Sequence, residues 1–348
     1  TSRGPGLALD PLGRPHIAHG AGEGGQWGKR VTYSFHDGIT WHHEYFGEVG
    51  SIGFGIALDA NDSPHIAYAG GGILAELTYV TKGLSGEWTH ERFGLTGVWA
   101  GAIWLDAQEN PHVVVRSGGA LVHAWRAPEG VWSTEVVDPN ANRGHDIDLE
   151  LDAQGLPHVV YFVPSVTAYS AAGYARMLPD GSWETIVADD VCDFDLGLGL
   201  DSKGYPHIAC HRYGLKYIHY DGTNWTSEMV RSNNPYAWEL DVEVDSQDRP
   251  HIAYGNIYSG GDRIDRTLGA GLLYHAVKTE AGWQVETVDH MGEYTGLVPD
   301  LELDDSDRPR IAYVLGWWRF ENEGPTNRQF NLMYAEPVAA TVLNPMGL

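Results

Sequence analysis

Residues 56–68 read Ile56-Ala-Leu-Asp59-Ala-Asn-Asp-Ser-Pro64-His65-Ile-Ala-Tyr68, and the same phrase returns along the whole chain. An alternation of apolar and small residues ends on Asp; a Pro follows, then a His, then an apolar run. The Asp recurs at Asp10, Asp59, Asp106, Asp152, Asp201, Asp245 and Asp304, in steps of 44 to 59 residues, and Pro always follows it by five. Alternation before the Asp predicts a half-buried strand, and the Asp/Asn/Gly-rich link predicts a tight turn into a second strand. A segment around Tyr33, Tyr79, Tyr174, Tyr217, Tyr274 and Tyr334 marks a third strand. Trp41, Trp88, Trp132, Trp183, Trp225 and Trp283 each open a fourth.

Four strands per unit, repeated seven times without any sustained 3.6-residue period, predict an all-β fold: a single seven-bladed β-propeller with four antiparallel strands per blade. A length of 348 would otherwise suggest two domains. The blades are expected at about 1–50, 51–97, 98–143, 144–190, 191–235, 236–292 and 293–348, in one domain spanning 1–348. The last unit lacks the Trp strand, and Val338-Ala-Ala-Thr-Val-Leu343 is expected to supply it. Since blade one starts on its own first strand, Gly6-Leu-Ala-Leu-Asp10, ring closure is expected to pack blade seven on blade one without strand exchange.

The turns before the Trp strands read Ser34-Phe-His-Asp-Gly-Ile-Thr-Trp41, Leu178-Pro-Asp-Gly-Ser-Trp183 and Tyr220-Asp-Gly-Thr-Asn-Trp-Thr226. They resemble the Asp box of sialidase-type propellers, with the Asp one place later than in that family. The resemblance implies a structural turn and no catalysis, and it does not place the family's arginine triad or nucleophilic tyrosine on this sequence. In architecture the chain also resembles the seven-bladed propeller polysaccharide lyases. That likeness covers fold and residue types, and implies a His/Tyr/Arg site with, in some members, a structural metal.

Forty-seven acidic against 22 basic residues leave a formal net charge of −25. Nucleic acid and anionic membranes both select Lys and Arg, so neither is expected as a partner. No apolar run is long enough for a membrane-spanning helix. The start, Thr1-Ser2-Arg3, has neither Met nor signal peptide, which leads us to expect a removed leader and a secreted or periplasmic protein. A monomer is expected, and no organic cofactor.

Residues present in every blade are expected to hold the blades together. His16, His65, His112, His158, His207 and His251 each follow the motif Asp by six, and Arg310 takes that place in blade seven. A repeated Asp–His hydrogen bond, replaced once by Asp–Arg, is therefore expected. The first strands should line the central channel, where Gly and Ala are the expected residues. Blades four, six and seven instead place Asp148 and Glu150, Asp241 and Glu243, and Asp300 and Glu302 there. Six converging carboxylates require cations, shared protons or water. Oxygen-only ligands suit Ca²⁺ best, and a water-filled channel is the alternative.

Departures from the repeat are the other candidates. Blade three has His123 where other third strands have Tyr, and Arg116 where second strands end in small residues. Blade five has Cys210-His211-Arg212 there, and Arg143-Gly-His145, Cys192-Asp193 and Trp238-Glu239 precede first strands. Arg116, His145, Cys192, His211 and Arg212 should thus share one rim. Cys192 and Cys210 admit three states: a disulfide, a zinc site completed by His211 with Asp193 or His145, or two separate buried thiols. Stretches 18–30, 163–173, 255–271 and 315–330 read as the long loops, the last carrying Trp317, Trp318 and Arg319. These three, with Arg143 and Trp238, are the expected substrate-binding residues, suited to stacking on a sugar and pairing with its acidic groups.

The function these residues suggest is a carbohydrate-active enzyme, foremost a lyase acting on an acidic polysaccharide. Arg116, Arg143 or Arg212 would neutralise the uronate, His145, His211 or His123 would act as base, and Tyr161 or Tyr213 as acid. The alternatives are a non-enzymatic propeller binding a small molecule or a protein, and a metal-dependent hydrolase or cyclase using the channel.

Overall fold

The strands pair into seven antiparallel sheets, each threaded in chain order. The computed structural model describes residues 4–21, 30–47, 54–69, 76–83, 85–98, 101–141, 146–212, 214–232, 237–256, 272–289, 294–321 and 324–336. Blade one comprises Gly6–Leu9, Pro15–Ala21, Arg30–His36 and Trp41–Gly47; blade five comprises Phe194–Leu200, Pro206–His211, Gly214–Tyr220 and Trp225–Ser232. Six sheets have four strands. The seventh has three among the described residues, Tyr294–Leu303, Pro309–Glu321 and Gly324–Ala335, and the strand expected at 338–343 lies outside them. No described segment is helical. The chain is a seven-bladed β-propeller.

Two of the expected loops are largely strand. Residues 315–321 and 324–330 form the outer part of the long hairpin of blade seven, and Pro157–Pro164 and Ser170–Met177 leave only a short link in blade four. A strand pair satisfies its own backbone groups and so extends wherever no turn residue stops it.

The motif Asp owes its recurrence to the turn. In all seven blades its Oδ1 accepts the backbone N–H groups of the second and fourth residues that follow, as Asp201 does from Lys203 and Tyr205 at 2.9 and 2.8 Å. The residue three after it is left-handed each time: Gly13, Gly155 and Gly204, but also Asp62, Glu109, Asp248 and Asp307. Three of the four acidic ones use the exposed position to bind the preceding blade: Glu109, Asp248 and Asp307 accept the N–H of Ala60, Ser202 and Ser246.

The expected Asp–His bond is made in one blade only. His251 Nε2 lies 3.2 Å from Asp245, whereas the other five pairs stand 3.5 to 3.9 Å apart. Arg310 does bond Asp304 in blade seven, at 2.9 Å. The histidines are held instead through Nδ1 by the third strand, from Tyr33, Tyr79, Tyr174 and Tyr217 at 2.5 to 2.6 Å. Blades three and six substitute His123 and His275, each 2.9 Å from the motif histidine. Tyr274, expected in that series, pairs with Tyr254 across the strands one register away and points to the other face.

Neighbouring blades are joined by aromatic contacts of repeated geometry. Trp88, Trp132, Trp225 and Trp283 meet Tyr33, Tyr79, Tyr174 and Tyr217 of the preceding blade edge-on, at 5.1 to 5.6 Å. Such pairs contribute about 0.5–1.5 kcal/mol each beyond the area they bury. Trp41 repeats the contact on Tyr334 at 5.8 Å and so closes the ring from blade seven to blade one.

Candidate functional site

The first strands surround a central cavity of about 410 Å³. Alternation along a strand sends every second side chain inward, and the residues two and four before the motif Asp are the ones that arrive there. Gly6, Gly55, Ala102, Ala57 and Trp104 line it beside Asp148, Glu150, Asp241, Glu243, Asp300 and Glu302, with no Lys, Arg or His among the lining residues.

The two carboxylate layers differ in what they do. Each Asp reaches to the first strand of the next blade and accepts a backbone N–H there. Asp148 takes Leu198 at 2.8 Å, Asp241 takes Leu301 at 2.7 Å, and Asp300 takes Leu7 at 2.8 Å. A first strand is a sheet edge, and its inward N–H groups need partners that the sheet does not supply. Where the same position is Gly, the strands close directly: a Cβ on Gly6 would lie 2.8 Å from the carbonyl oxygen of Phe54.

The three glutamates have no such backbone engagement, and they are pushed toward neutrality. Burial, followed by the charges of Asp300 and Asp148, raises Glu302 to about 8. Burial and the neighbouring carboxylates, Asp148 first for Glu150 and Glu150 first for Glu243, hold both well above the usual range. Asp241 is raised by burial, by Asp148 and Asp300, and by a carboxyl–carboxyl hydrogen bond to Asp300. In the absence of a cation, shared protons carry the charge balance of the channel.

The remaining candidate residues divide into four groups. His123 and Tyr161 are not at the rim: both are 2% exposed. His123 bridges His112 and Glu135 at 2.9 and 3.0 Å, and burial lowers it to about 4. Tyr161 donates to Asp138 at 2.6 Å within the core between blades three and four. Arg116, His211 and Arg212 do lie at the outer ends of second strands, in blades three and five. Arg212 is ion-paired with Asp193 at 3.2 Å, and His211 is buried against Phe194. Cys192 and Cys210 form a disulfide, with Cα atoms 5.8 Å apart, so neither thiol can ligate zinc. Arg143, His145 and Tyr213 lie outside the described residues, as do the side chains of Trp238, Trp317, Trp318 and Arg319.

The disulfide is compatible with an extracellular location. Among the described residues no helix is long and apolar enough to cross a membrane.

No protein-family model and no curated protein matches the sequence. Solved structures do match in shape. A fungal alcohol oxidase of the AA5 family in complex with copper is 11% identical, at a TM-score of 0.53 over 99% of this chain and 78% of that one. A protein from Lactobacillus plantarum is 11% identical, at 0.52 over 90% and 94%. AofleA from Arthrobotrys oligospora is 9% identical, at 0.51 over 82% and 86%. At such identities the likeness is one of fold alone, and the fold it supports is the propeller.

Proposed function

We propose that this protein is a ligand-binding propeller that works from a single site, its central channel, and that the ligand is a cation: a hard divalent ion such as Ca²⁺. The observation that supports this reading is the lining of the cavity, where six carboxylates converge with no basic side chain among the described lining residues. Asp148, Asp241 and Asp300 are committed to backbone N–H groups. Glu150, Glu243 and Glu302 therefore provide the ligand oxygens, and three bidentate carboxylates match the six to eight oxygens that Ca²⁺ takes. A hydrolase or cyclase running on the same ion would depend on the same three glutamates, and turnover would separate it from binding alone. Calorimetric titration of chelator-treated protein with Ca²⁺ tests the proposal. One equivalent is expected, and a Glu150→Gln, Glu243→Gln, Glu302→Gln triple variant should lose it. Absence of Ca²⁺ uptake by the native protein at millimolar concentration would overturn the reading.

A second reading, a secreted carbohydrate enzyme and foremost a lyase on acidic polysaccharide, is favoured by Arg116 and Arg212 at the same end of their second strands, where they suit uronate carboxylates. With His123 and Tyr161 in the core, its base and acid fall to His211, His145 and Tyr213. Ultraviolet absorbance of unsaturated uronate product, lost in Arg212→Ala, is the expected signal; no absorbance change on any uronate polymer would dismiss it.

A further inference from the structure

Blade five carries a cluster that neither the channel nor the rim accounts for. Asp201, His207 and His219 bring one ligand atom each to within 4.8 Å of one another. Asp201 and His207 belong to the repeat, but His219 does not. It lies directly across the strands from His207, at the position held by Phe35, Thr81, Trp125, Arg176 and Val277 opposite the motif histidines of blades one, two, three, four and six. Among these blades, blade five alone places a ligating side chain at this position.

The orientation of each group suits an ion between them. Asp201 spends Oδ1 on the turn, accepting from Lys203 and Tyr205, and leaves Oδ2 toward His207. His207 is 4% exposed, and its Nε2 is sealed from solvent with no hydrogen-bond partner. Among the described residues it is the one motif-histidine nitrogen in that condition. A buried nitrogen without a partner costs about 1–3 kcal/mol, so its persistence calls for an occupant. The gap to Asp201 Oδ2 is 3.9 Å, too long for a hydrogen bond. It is near the ~3.3 Å that separates two ligands of one tetrahedral zinc at bond lengths of about 2.0–2.1 Å. His219 covers the pair at a ring distance of 4.3 Å and is itself only half-buried, so it closes the site toward solvent.

We infer that Asp201 Oδ2, His207 Nε2 and His219 form a binding site for a borderline divalent metal ion, Zn²⁺ by preference, with a fourth position open to water. Two imidazoles and a carboxylate are donors that zinc accepts and that differ from the all-oxygen channel. The supporting groups agree. His207 Nδ1 is 2.6 Å from the Tyr217 hydroxyl. With the Nδ1 proton donated to that oxygen, the tautomer that leaves Nε2 free for the metal is fixed, as outer partners of ligating histidines do. The charged groups that face the histidines are Asp201, Asp221, Asp248 and Lys278. Lys278 is ion-paired with Glu228 at 2.7 Å, which leaves the surroundings net acidic.

Zinc titration of chelator-treated full-length protein, read by calorimetry and by the visible absorption of Co²⁺ put in its place, tests the inference. The native protein should take up one equivalent with a spectrum of four- or five-coordinate cobalt. His219→Phe, which copies the residue of blade one, should weaken zinc at least about tenfold while leaving circular dichroism and metal-free Tm unchanged. The triple glutamine variant of the channel should retain zinc. Equal zinc affinity in native and His219→Phe protein, loss of zinc only in the channel variant, or no uptake by the native protein would each overturn it.

Discussion

The carboxylate of Asp300 in blade seven accepts the backbone N–H of Leu7 in blade one at 2.8 Å, so one side-chain bond ties the ends of the ring. The same bond recurs from Asp148 to Leu198 and from Asp241 to Leu301. Asp300→Ala leaves a buried N–H unpaired and is expected to cost about 1–3 kcal/mol. Asp300→Asn keeps an acceptor oxygen and should cost less. Thermal unfolding of the two variants checks the order, and equal Tm values for Ala and native protein would deny the bond its role.

Stability should pass through a maximum near neutral pH, with different groups on each side. Burial lowers His19 and His123 to about 4 and His207 to about 3. The unfolded chain therefore takes up protons below about pH 6.5 that the folded one refuses, and stability is lost as pH falls from there. Glu302 behaves oppositely. It is raised to about 8 when folded, so its contribution is present at low pH and is lost as pH rises through that value. Without metal, Tm should fall between roughly pH 6.5 and pH 8.5. Glu302→Gln removes one buried carboxyl and should make that limb shallower without abolishing it, since Glu150, Glu243 and Asp241 are raised as well, and saturating Ca²⁺ should flatten it further. An alkaline limb as steep in Glu302→Gln as in the native protein would exclude Glu302 as a cause.

The Cys192–Cys210 disulfide closes a loop with a sequence separation of 18. Cross-linking a loop of this size stabilises by about 3 kcal/mol in the chain-entropy account. Reductant, or a Cys192→Ser, Cys210→Ser double variant, should lower Tm by several degrees, and thiol titration of the native protein should find none free.

His123 serves blade three as Tyr serves its neighbours. His123→Tyr should restore the Tyr–His pair of the other blades, and its larger ring should lower stability by less than His123→Ala does only if the core of blade three accommodates it as those of its neighbours do. His123→Ala should cost about 1–3 kcal/mol by stranding His112 and Glu135. If a carbohydrate activity is found and His123→Tyr abolishes it while remaining folded, the buried structural role is insufficient.

The ring and its turns were legible because the motif Asp performs the same backbone task in all blades, and a local hydrogen bond writes itself into a fixed offset. The channel acids were legible for a similar reason: counting by two from that Asp gives the inward face. Pairing across strands was not legible at single-residue accuracy. Tyr274 and His275 are adjacent, and a shift of one residue exchanges the faces, so Tyr274 was placed where His275 belongs. Tyr161 and His123 gave no sign of burial, because their partners Asp138 and Glu135 come from another strand. His219 had a readable signal in principle. Asking which residue faces each motif histidine across the hairpin isolates it, whereas subtracting the repeat discards His207 and Asp201 together with the position that completes them.

Each sheet is built from one contiguous stretch of chain, and this shapes the order of folding. Contacts within a blade, and between blades such as Asp148 with Leu198 at a separation of 50 residues, are comparatively local. The bond of Asp300 to Leu7 spans 293. Loop-closure entropy grows only with the logarithm of length, so the seam costs about 1.5 kcal/mol more to form than an ordinary blade junction. Against that cost stand the Asp300–Leu7 bond, the Trp41–Tyr334 contact and the apolar cluster of Leu7, Ile17, Ala312, Leu332 and Tyr334, which together hold the seam. Blades can therefore assemble successively as the chain emerges, with the seam left as the last junction to form.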